Sequence, residues 1–515
     1  MNAEALSAAL SNVFTWECLG WLVVGVVSGI ILGALPGIST NMAISLLFSF
    51  CYTIKGTAGV IMLLGVYCGG IYGGSISAIL LNTPGTPANA ATLLDGYPMA
   101  QRGEAGRALG ISTMASGFGG IFSAICLIFF STWLAKVSLK FTSLEYCSFA
   151  LFGISIISSL ASHSIIKGLI GGVFGLMLSC IGVDSMCGTI RYNFGTVYMM
   201  GGLPLIPLLI GLFAFSQVLV SVEEIVRERR QKEDDAAIAE KKRIMSQKVT
   251  KVIPTWADVK TCFPVMVASS LIGTLIGAIP GTGGDISSFV SYNFAKRTSK
   301  RKEKFGTGVP EGIAAPEAGN NSVSGGAMIP MLSLGIPGDS CTAMLLGALM
   351  VKNISPGPTL FSSNIEKAYE VFSGMVIANI IMIFSGFVVL KFAVNIVKIQ
   401  KKHLVPLIVA LCFVGTYSFN HTYEDLIVML AAGVLGYFLI KNEFTLSSIV
   451  IGFILGTMTE SNFRRFVLVS QGNISEVFNR PIAVFFFAAA IISLFSPIIG
   501  KLIARLKEKK KEEAV

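Results

Sequence analysis

Charge is scarce in this chain, and histidine scarcer. Only 13% of the 515 residues are Asp, Glu, Lys or Arg, against about a quarter in ordinary soluble proteins, so a water-soluble domain is excluded. Three histidines (His163, His403, His421) and ten scattered cysteines with no CxxC pair leave no metal-ligand spacing. The cysteines, such as Cys68, Cys126, Cys262 and Cys412, read as small buried hydrophobes. No basic region precedes the first apolar stretch, Trp21 to Leu35, so no cleavable signal peptide is expected and that stretch belongs to the fold. No His-Glu-x-x-His occurs, and neither Asp285 nor Asp339 completes a Gly-x-Gly-Asp, which argues against an intramembrane enzyme. Short alternating segments of the β-barrel kind are missing. So is any basic module interleaved with aromatics, which removes nucleic acid as a partner.

What the chain has is apolar length and glycine. The hydrophobic fraction is 53% and the mean hydropathy +0.73, spread over many runs of about 20 residues, the length of a membrane helix. Fifty-five glycines suit a polytopic helical protein, because small residues let helices approach closely. An all-α polytopic membrane protein with about 11–13 membrane segments is expected.

Positive charge is clustered. Arg227 to Lys251 holds nine Lys/Arg, Lys296 to Lys304 six and Lys501 to Lys511 six, together twenty-one of thirty-nine. Basic loops stay cytoplasmic, so the linker 223–257 and the tail 501–515 are placed inside, flanking repeats at 18–222 and 258–500. The segment 262–295 then leaves and returns on one side, as a hairpin.

A motif appears twice. Gly33-Ala34-Leu35-Pro36-Gly37 recurs as Gly277-Ala278-Ile279-Pro280-Gly281, and each copy is followed by a second break, at Asn82-Thr83-Pro84-Gly85-Thr86-Pro87 and at Gly335-Ile336-Pro337-Gly338-Asp339-Ser340. Paired Pro-Gly interruptions at matching places in two halves point to a secondary transporter with its substrate site near the bilayer midplane. The loop after the first hairpin carries Lys55 alone, against six positive charges after the second. Further on the balance reverses, with Arg102 and Arg107 against Lys352. Charge thus swaps sides between the halves, as two inverted-topology repeats require. Spans are expected near 108–133, 146–161, 168–183 and 197–222, then near 368–395, 404–419, 425–440, 444–459 and 482–499.

A broken helix exposes carbonyls that suit Na⁺ and N–H groups that attract carboxylates. The residues after each break are of the right kind: Ser39, Thr40 and Asn41; Thr282, Gly283, Gly284, Asp285 and Ser287; Thr86 and Asn89; Ser340 and Thr342. With Asn82, Thr83, Gly85 and Gly338 they form the candidate substrate site. Asn320, Asn321 and Ser322, in the polar run from Glu311 to Ser324 that also holds Glu317, are placed along an aqueous cavity. Asp285 and Asp339 occur in the second half only, and a membrane-embedded carboxylate is costly. They are the candidate ligands of a coupling ion, Na⁺ or a proton. Asp184, Arg191 and Tyr192, like Glu460, Asn462, Arg464 and Arg465, fall near span ends and read as ion pairs or partner contacts.

These residues carry a resemblance. Gly33–Gly37, the run from Asn82 through Asp95-Gly96-Tyr97 to Pro98, Gly182-Val183-Asp184 with Gly188 and Arg191, Pro316–Ser322 and Gly335–Asp339 resemble the large membrane subunit of tripartite tricarboxylate transporters, the TctA family, over about 18–500. The resemblance implies a permease of the bacterial inner membrane that works with a small membrane subunit and a periplasmic or extracellular solute-binding protein. It also implies uptake of citrate or related carboxylates driven by an ion gradient, without ATPase motifs and without a cofactor. Alternating access of one repeat-derived bundle against a scaffold is expected by analogy. A channel is the nearer rival, and broken helices in two inverted halves argue against it.

Overall fold

The computed structural model describes residues 3–160, 164–184, 186–228, 252–399 and 401–495. Of the expected charged linker only its two ends fall within them, and the tail 501–515 lies outside them.

The chain is built of helices. In order these are α1 (Ala3–Val13), α2 (Trp16–Ala34), α3 (Thr40–Thr53), α4 (Ala58–Leu81), α5 (Ala90–Gln101), α6 (Ala105–Ser138), α7 (Ser143–Leu160) and α8 (Ile165–Ser179). After a short hairpin of β1 (Gly182–Val183) and β2 (Ile190–Arg191) comes α9 (Leu205–Arg227), which includes a π-helical stretch at Ile210–Phe215. Then follow α10 (Trp256–Gly277), α11 (Gly283–Thr298), α12 (Pro310–Leu334), α13 (Ser340–Val351), α14 (Ile365–Leu390), α15 (Lys401–Asn420), α16 (Tyr423–Lys441), α17 (Leu446–Val469) and α18 (Pro481–Phe495). Eight of them (α2, α4, α6, α9, α10, α14, α15, α16) are long and apolar enough to cross a membrane.

Local chemistry sets the interruptions. Leu35 and Ile336 precede prolines, a position that disfavours the helical backbone, and the helices before them stop there. Asn82 and Gly335 close α4 and α12 in the left-handed region, at φ 57° and 75°. Beyond the gaps, Ser39 caps α3 by accepting from the Met42 N–H at 3.2 Å, and Asp339 and Thr342 form a reciprocal capping box on α13.

One order of elements therefore occurs twice: long helix, Pro-Gly break, shorter helix, long helix, Pro-Gly break, short helix, long helix. It runs as α2–α3–α4–α5–α6 and again as α10–α11–α12–α13–α14. In each copy the first long helix packs along the second, α2 on α4 and α10 on α12. Glycines spaced by four make the first contact close: Gly25, Gly29 and Gly33 face Met62, Val66 and Gly70, while Gly65, Gly69 and Gly73 face the α2 backbone. Across the copies the packing is reciprocal. Helix α5 lies on α12 and α13 on α4, and α13 also meets α3 as α5 meets α11.

The residues group into two compact units, and neither follows chain order. The first takes 1–136, 205–278 and 282–437; the second takes 137–204, 279–281 and 438–515. In the first, α4 is buried from Ala58 to Leu80 and α12 over its whole length. Helix α12 is enclosed although it carries Glu311, Glu317, Asn320 and Asn321. Glu317 is met by hydroxyl and amide partners, whereas Glu311 Oε2, Asn320 Nδ2 and Asn321 Oδ1 are buried without one. In the second unit α7, α8 and α17 pack together, with Phe149, Phe141 and Phe486 stacked edge-to-face beside them.

Two expected spans start or end elsewhere. The span expected at 197–222 begins only at Leu205, because Gly201-Gly202 and Pro204 hold the chain out of the helix. The one expected at 168–183 stops at Ser179, before Gly182 at φ 114° turns the chain into β1. Beside the eight long apolar helices, three shorter apolar helices lie at Ile166–Ser179, Ser340–Val351 and Pro481–Phe495 among the described residues. All ten cysteines are free, with seven buried and Cys187 exposed.

Candidate functional site

Residues flanking the four breaks meet in the first unit as a closed circuit, while Ile279–Gly281 are themselves grouped with the second. Within each copy, the second break lies under the end of the first long helix. A Cβ on Gly85 would collide with the Gly33 carbonyl and stand 2.6 Å from Gly74 Cα. In the second copy a Cβ on Gly338 would stand 2.8 Å from the Gly277 carbonyl and 2.6 Å from Ala327 Cα. Only glycine lets these backbones touch. Across copies, the Cys341 thiol donates to Asn41 Oδ1 at 2.7 Å, and a Cβ on Gly284 would reach Ala88 Cβ at 3.4 Å. Numbering the breaks at 33–37, 277–281, 82–87 and 335–340 as first to fourth, the first thus touches the fourth and the second touches the third.

Each helix N-terminus in this circuit is finished differently. At α3 the Ser39 hydroxyl is used as a cap, and Thr40 is buried against Gly70. At the third break Thr86 donates to Asn89 Oδ1 at 2.6 Å, and the Asn89 amide reaches the Ile71 carbonyl and Glu317. At α13 Asp339 Oδ1 accepts from Thr342 N at 2.7 Å, while its Oδ2 takes the Tyr67 hydroxyl at 2.7 Å.

Helix α11, like α5 behind Asn89, has no side-chain cap. Its N-cap is Thr282, whose hydroxyl instead donates to the Ile276 carbonyl at 2.5 Å, closing the end of α10. The amides that follow belong to Gly283 and Gly284, which have no side chains to cover them. Asn320 on α12 points at Gly284 through its Oδ1; it is 2% exposed, and its Nδ2 has no hydrogen-bond partner. A buried amide donor left unpaired costs about 1–3 kcal/mol and is a place for an acceptor to bind. Asp285, next in the helix, is exposed, its carboxylate accepts no hydrogen bond among the described residues, and it lies within electrostatic reach of Asp339.

The structure thus brings together Ser39, Thr40, Asn41, Gly85, Thr86, Asn89, Thr282, Gly283, Gly284, Asp285, Asn320, Gly338, Asp339 and Ser340. It sets four candidates apart. Asn82 and Thr83 are exposed at the head of their break, with Thr83 donating to the Leu81 carbonyl. Ser322 donates to the Gly319 carbonyl and packs against Gly273 of α10. Asn321 donates to the Glu317 carbonyl, and its Oδ1 has no partner.

Sequence reasoning passed over three neighbours. Tyr67 sits in an unbroken apolar run that gives no signal. Lys401 lies beside the first break, its side chain within 3.5–3.7 Å of a Cβ on Gly37, and pairs with Glu224 at 2.7 Å; being distant in sequence, it reads as a loop charge. Asp95 on α5 is fully buried and accepts from the Tyr292 hydroxyl and from the N–H groups of Gly306, Gly308 and Val309 at 2.7–3.1 Å. Lys352, just past α13, clamps the Tyr52 and Ile54 carbonyls in the same manner.

In the second unit Asp184, Arg191, Glu460 and Arg464 form one ion-pair network, Arg191 to Glu460 at 2.6 Å and Arg464 to Asp184 at 2.5 Å. The Arg464 guanidinium, helped by the Met186 N–H, holds the Asp184 carboxyl down to about 2. Among the described residues no group of three His, Cys, Asp or Glu side chains is placed to hold a metal.

The comparisons with known proteins follow this geometry. The family model described as the tripartite tricarboxylate transporter TctA family matches residues 19–451. Over 486 residues, 94% of each chain, the sequence is 32% identical to an uncharacterized 52.8 kDa protein in the TAR-I ttuC' 3'region of Agrobacterium vitis. It is 30% identical over 230 residues, 45% of this chain and 95% of the relative, to an uncharacterized protein in the TAR-II ttuC' 3'region of the same organism. No solved structure matches.

Proposed function

The chain belongs to the tripartite tricarboxylate transporter TctA family, a family of transporters and not of enzymes, and from that premise we propose that it imports carboxylate anions by secondary transport. A small membrane subunit and an extracytoplasmic solute-binding protein complete the complex in the bacterial inner membrane. The observation that carries the reading is the bare N-terminus of α11. A substrate carboxylate placed there takes the Gly283 and Gly284 N–H groups, the favourable end of the helix dipole and the unpaired Asn320 Nδ2. Gly283 and Gly284 are half-buried, and Asn320 beside them is buried with its Nδ2 unpaired.

Asp285 repels such an anion unless a cation accompanies it. We assign Asp285 and Asp339 to a coupling cation, with Na⁺ favoured, because the breaks supply carbonyl oxygens beside them. Substrate and cation then neutralise each other, and neither binds well alone. Inverted repeats supply the motion: the charge swap between loops and the reciprocal packing of α5 on α12 and α13 on α4 both support that relation. Alternating access moves one bundle against the other around the circuit of breaks.

The test is uptake of radiolabelled citrate and a panel of dicarboxylates into proteoliposomes holding this chain with its small subunit and binding protein. Saturable uptake that requires an inward Na⁺ gradient and the binding protein supports the reading. Non-saturating flux indicates a channel, and no movement of any anion under Na⁺ or proton gradients refutes carboxylate import.

A further inference from the structure

A second buried carboxylate lies beside the circuit and outside the substrate and cation sites. Glu317, on α12, is fully buried, and no Lys or Arg pairs with it among the described residues. Its partners are all neutral and come from two helices. From α5, Thr92 Oγ1 lies 2.6 Å and Asn89 Nδ2 3.3 Å from Oε1; from α6, Ser116 Oγ lies 2.7 Å from Oε2. Ser112 of α6 also reaches it and is bound in turn to Ser75 of α4 at 2.6 Å. Among the described residues the titratable group facing it is Tyr72 of α4, whose hydroxyl is engaged by Thr113 at 2.6 Å.

An ionised carboxylate with no cation, enclosed by a membrane protein, is costly. The contacts suit a proton better than a metal ion. At 2.6 and 2.7 Å they are hydrogen-bond lengths between oxygens, whereas oxygens that share a cation stand further apart. The proton also has one place to sit. Asn89 Nδ2 can only donate, so Oε1 is fixed as the acceptor and Thr92 adds a second donor to it. Oε2 meets the Ser116 hydroxyl at 2.7 Å, and a hydroxyl can turn to accept.

We propose that Glu317 is a proton-binding site of the carrier, protonated at Oε2 with Ser116 as acceptor, whose occupancy is read by Asn89 at the third break. This rests on the carrier reading above. The link is a chain of bonds, Thr86 to Asn89 to Glu317. With the proton gone, the charge strengthens both bonds to Oε1, because hydrogen bonds to ionised acceptors are the stronger kind. Helix α5 is then held harder to α12, and the break at Pro84-Gly85 is stiffened. With the proton on, that hold relaxes. The proton and the substrate therefore act on one short segment.

The test reads the proton directly, by infrared difference spectra of the full chain with its small subunit in liposomes, taken across a pH titration. Wild type shows a protonated-carboxyl C=O band at neutral pH; Glu317→Gln loses it, and Ser116→Ala shifts it to higher frequency by removing the acceptor. A Glu317→Gln spectrum that keeps every wild-type carboxyl band overturns the proposal. Should that variant not fold, an unshifted band in Ser116→Ala overturns it instead. The pH dependence of citrate uptake under an inward Na⁺ gradient is expected to be lost in Glu317→Gln, and a wild-type pH profile in that variant also overturns the proposal. A wild-type band assigned to Glu317 with no uptake of any anion leaves the proton site standing and refutes the carrier reading.

Discussion

Gly85→Ala and Gly338→Ala test whether the breaks are built by backbone contact. Neither glycine has a positive φ, so alanine meets no conformational strain, and any cost comes from space alone. At Gly338 the new methyl would stand 2.6 Å from Ala327 Cα, 2.7 Å from Ala327 Cβ and 2.8 Å from the Gly277 oxygen. Ordinary contact begins at 3.4 Å, so the shortfall at Ala327 Cα is about 0.8 Å. Two of the three walls are backbone, and no flexible side chain can yield. Overpacking of this kind costs about 1–3 kcal/mol, and rigid walls place both variants at roughly 2–3 kcal/mol. A domain of 150–250 residues loses about 2–4 °C per kcal/mol and a longer chain less, so a fall of roughly 2–6 °C in Tm is expected for each. The control is Gly20→Ala in α2, where a Cβ meets nothing within 4 Å and helix propensity favours alanine by about 1 kcal/mol. The assay is thermal unfolding of the purified chain in detergent. A Gly338→Ala protein as stable as wild type, or a Gly20→Ala protein that loses as much, would refute the reasoning.

Asn320→Leu removes a donor that has no partner in the empty site, so the fold should keep its stability while the substrate loses a charged hydrogen bond. At about 1.5–3 kcal/mol that is roughly a 10–100-fold rise in KM for uptake, and an unchanged KM would remove Asn320 from the site. Asp95→Asn turns an amide toward three backbone N–H groups, an expected loss of about 3 kcal/mol or more. Trypsin should then cut faster at Lys300–Lys304, next to the released loop, and an unaltered cleavage rate counts against the clamp. Asp184, held at about 2 against its usual 3.8 chiefly by Arg464, stabilises the folded state fully above pH 3.8, and that contribution is lost as pH falls toward 2. Asp184→Asn should flatten the fall in Tm over that range, and an identical pH profile would show that the network contributes nothing.

The breaks were legible because Leu35, Ile279 and Ile336 each precede a Pro-Gly pair, where the helical backbone is disfavoured and glycine follows. Proline alone does not end a helix here, since α5, α10, α12 and α15 run through Pro98, Pro264, Pro316, Pro330 and Pro406. The long apolar helices were legible from local composition as well. The burial of α12 was not, since Glu311, Glu317 and Asn320 lower its hydropathy and their partners lie on other helices. Which polar residues face the site was only half legible. Successive residues turn by about 100° around a helix, so Asn320, Asn321 and Ser322 cannot all face one site: Asn320 meets Gly284, while Asn321 and Ser322 bond to carbonyls of their own helix. Contiguity in sequence grouped residues that geometry separates. Lys401 and Tyr67 show the opposite failure, being brought to the breaks by contacts that no short motif encodes.

The closed circuit of breaks also bears on how the two copies can change over time. Asn41 faces Cys341, and Ala88 stands at Cys341's matching place, facing Gly284 where the first copy has Thr40. A substitution in one copy is accepted or rejected by a residue of the other, so the two cannot drift independently. A half-chain, however well each of its helices forms, inherits only two sides of a four-sided enclosure.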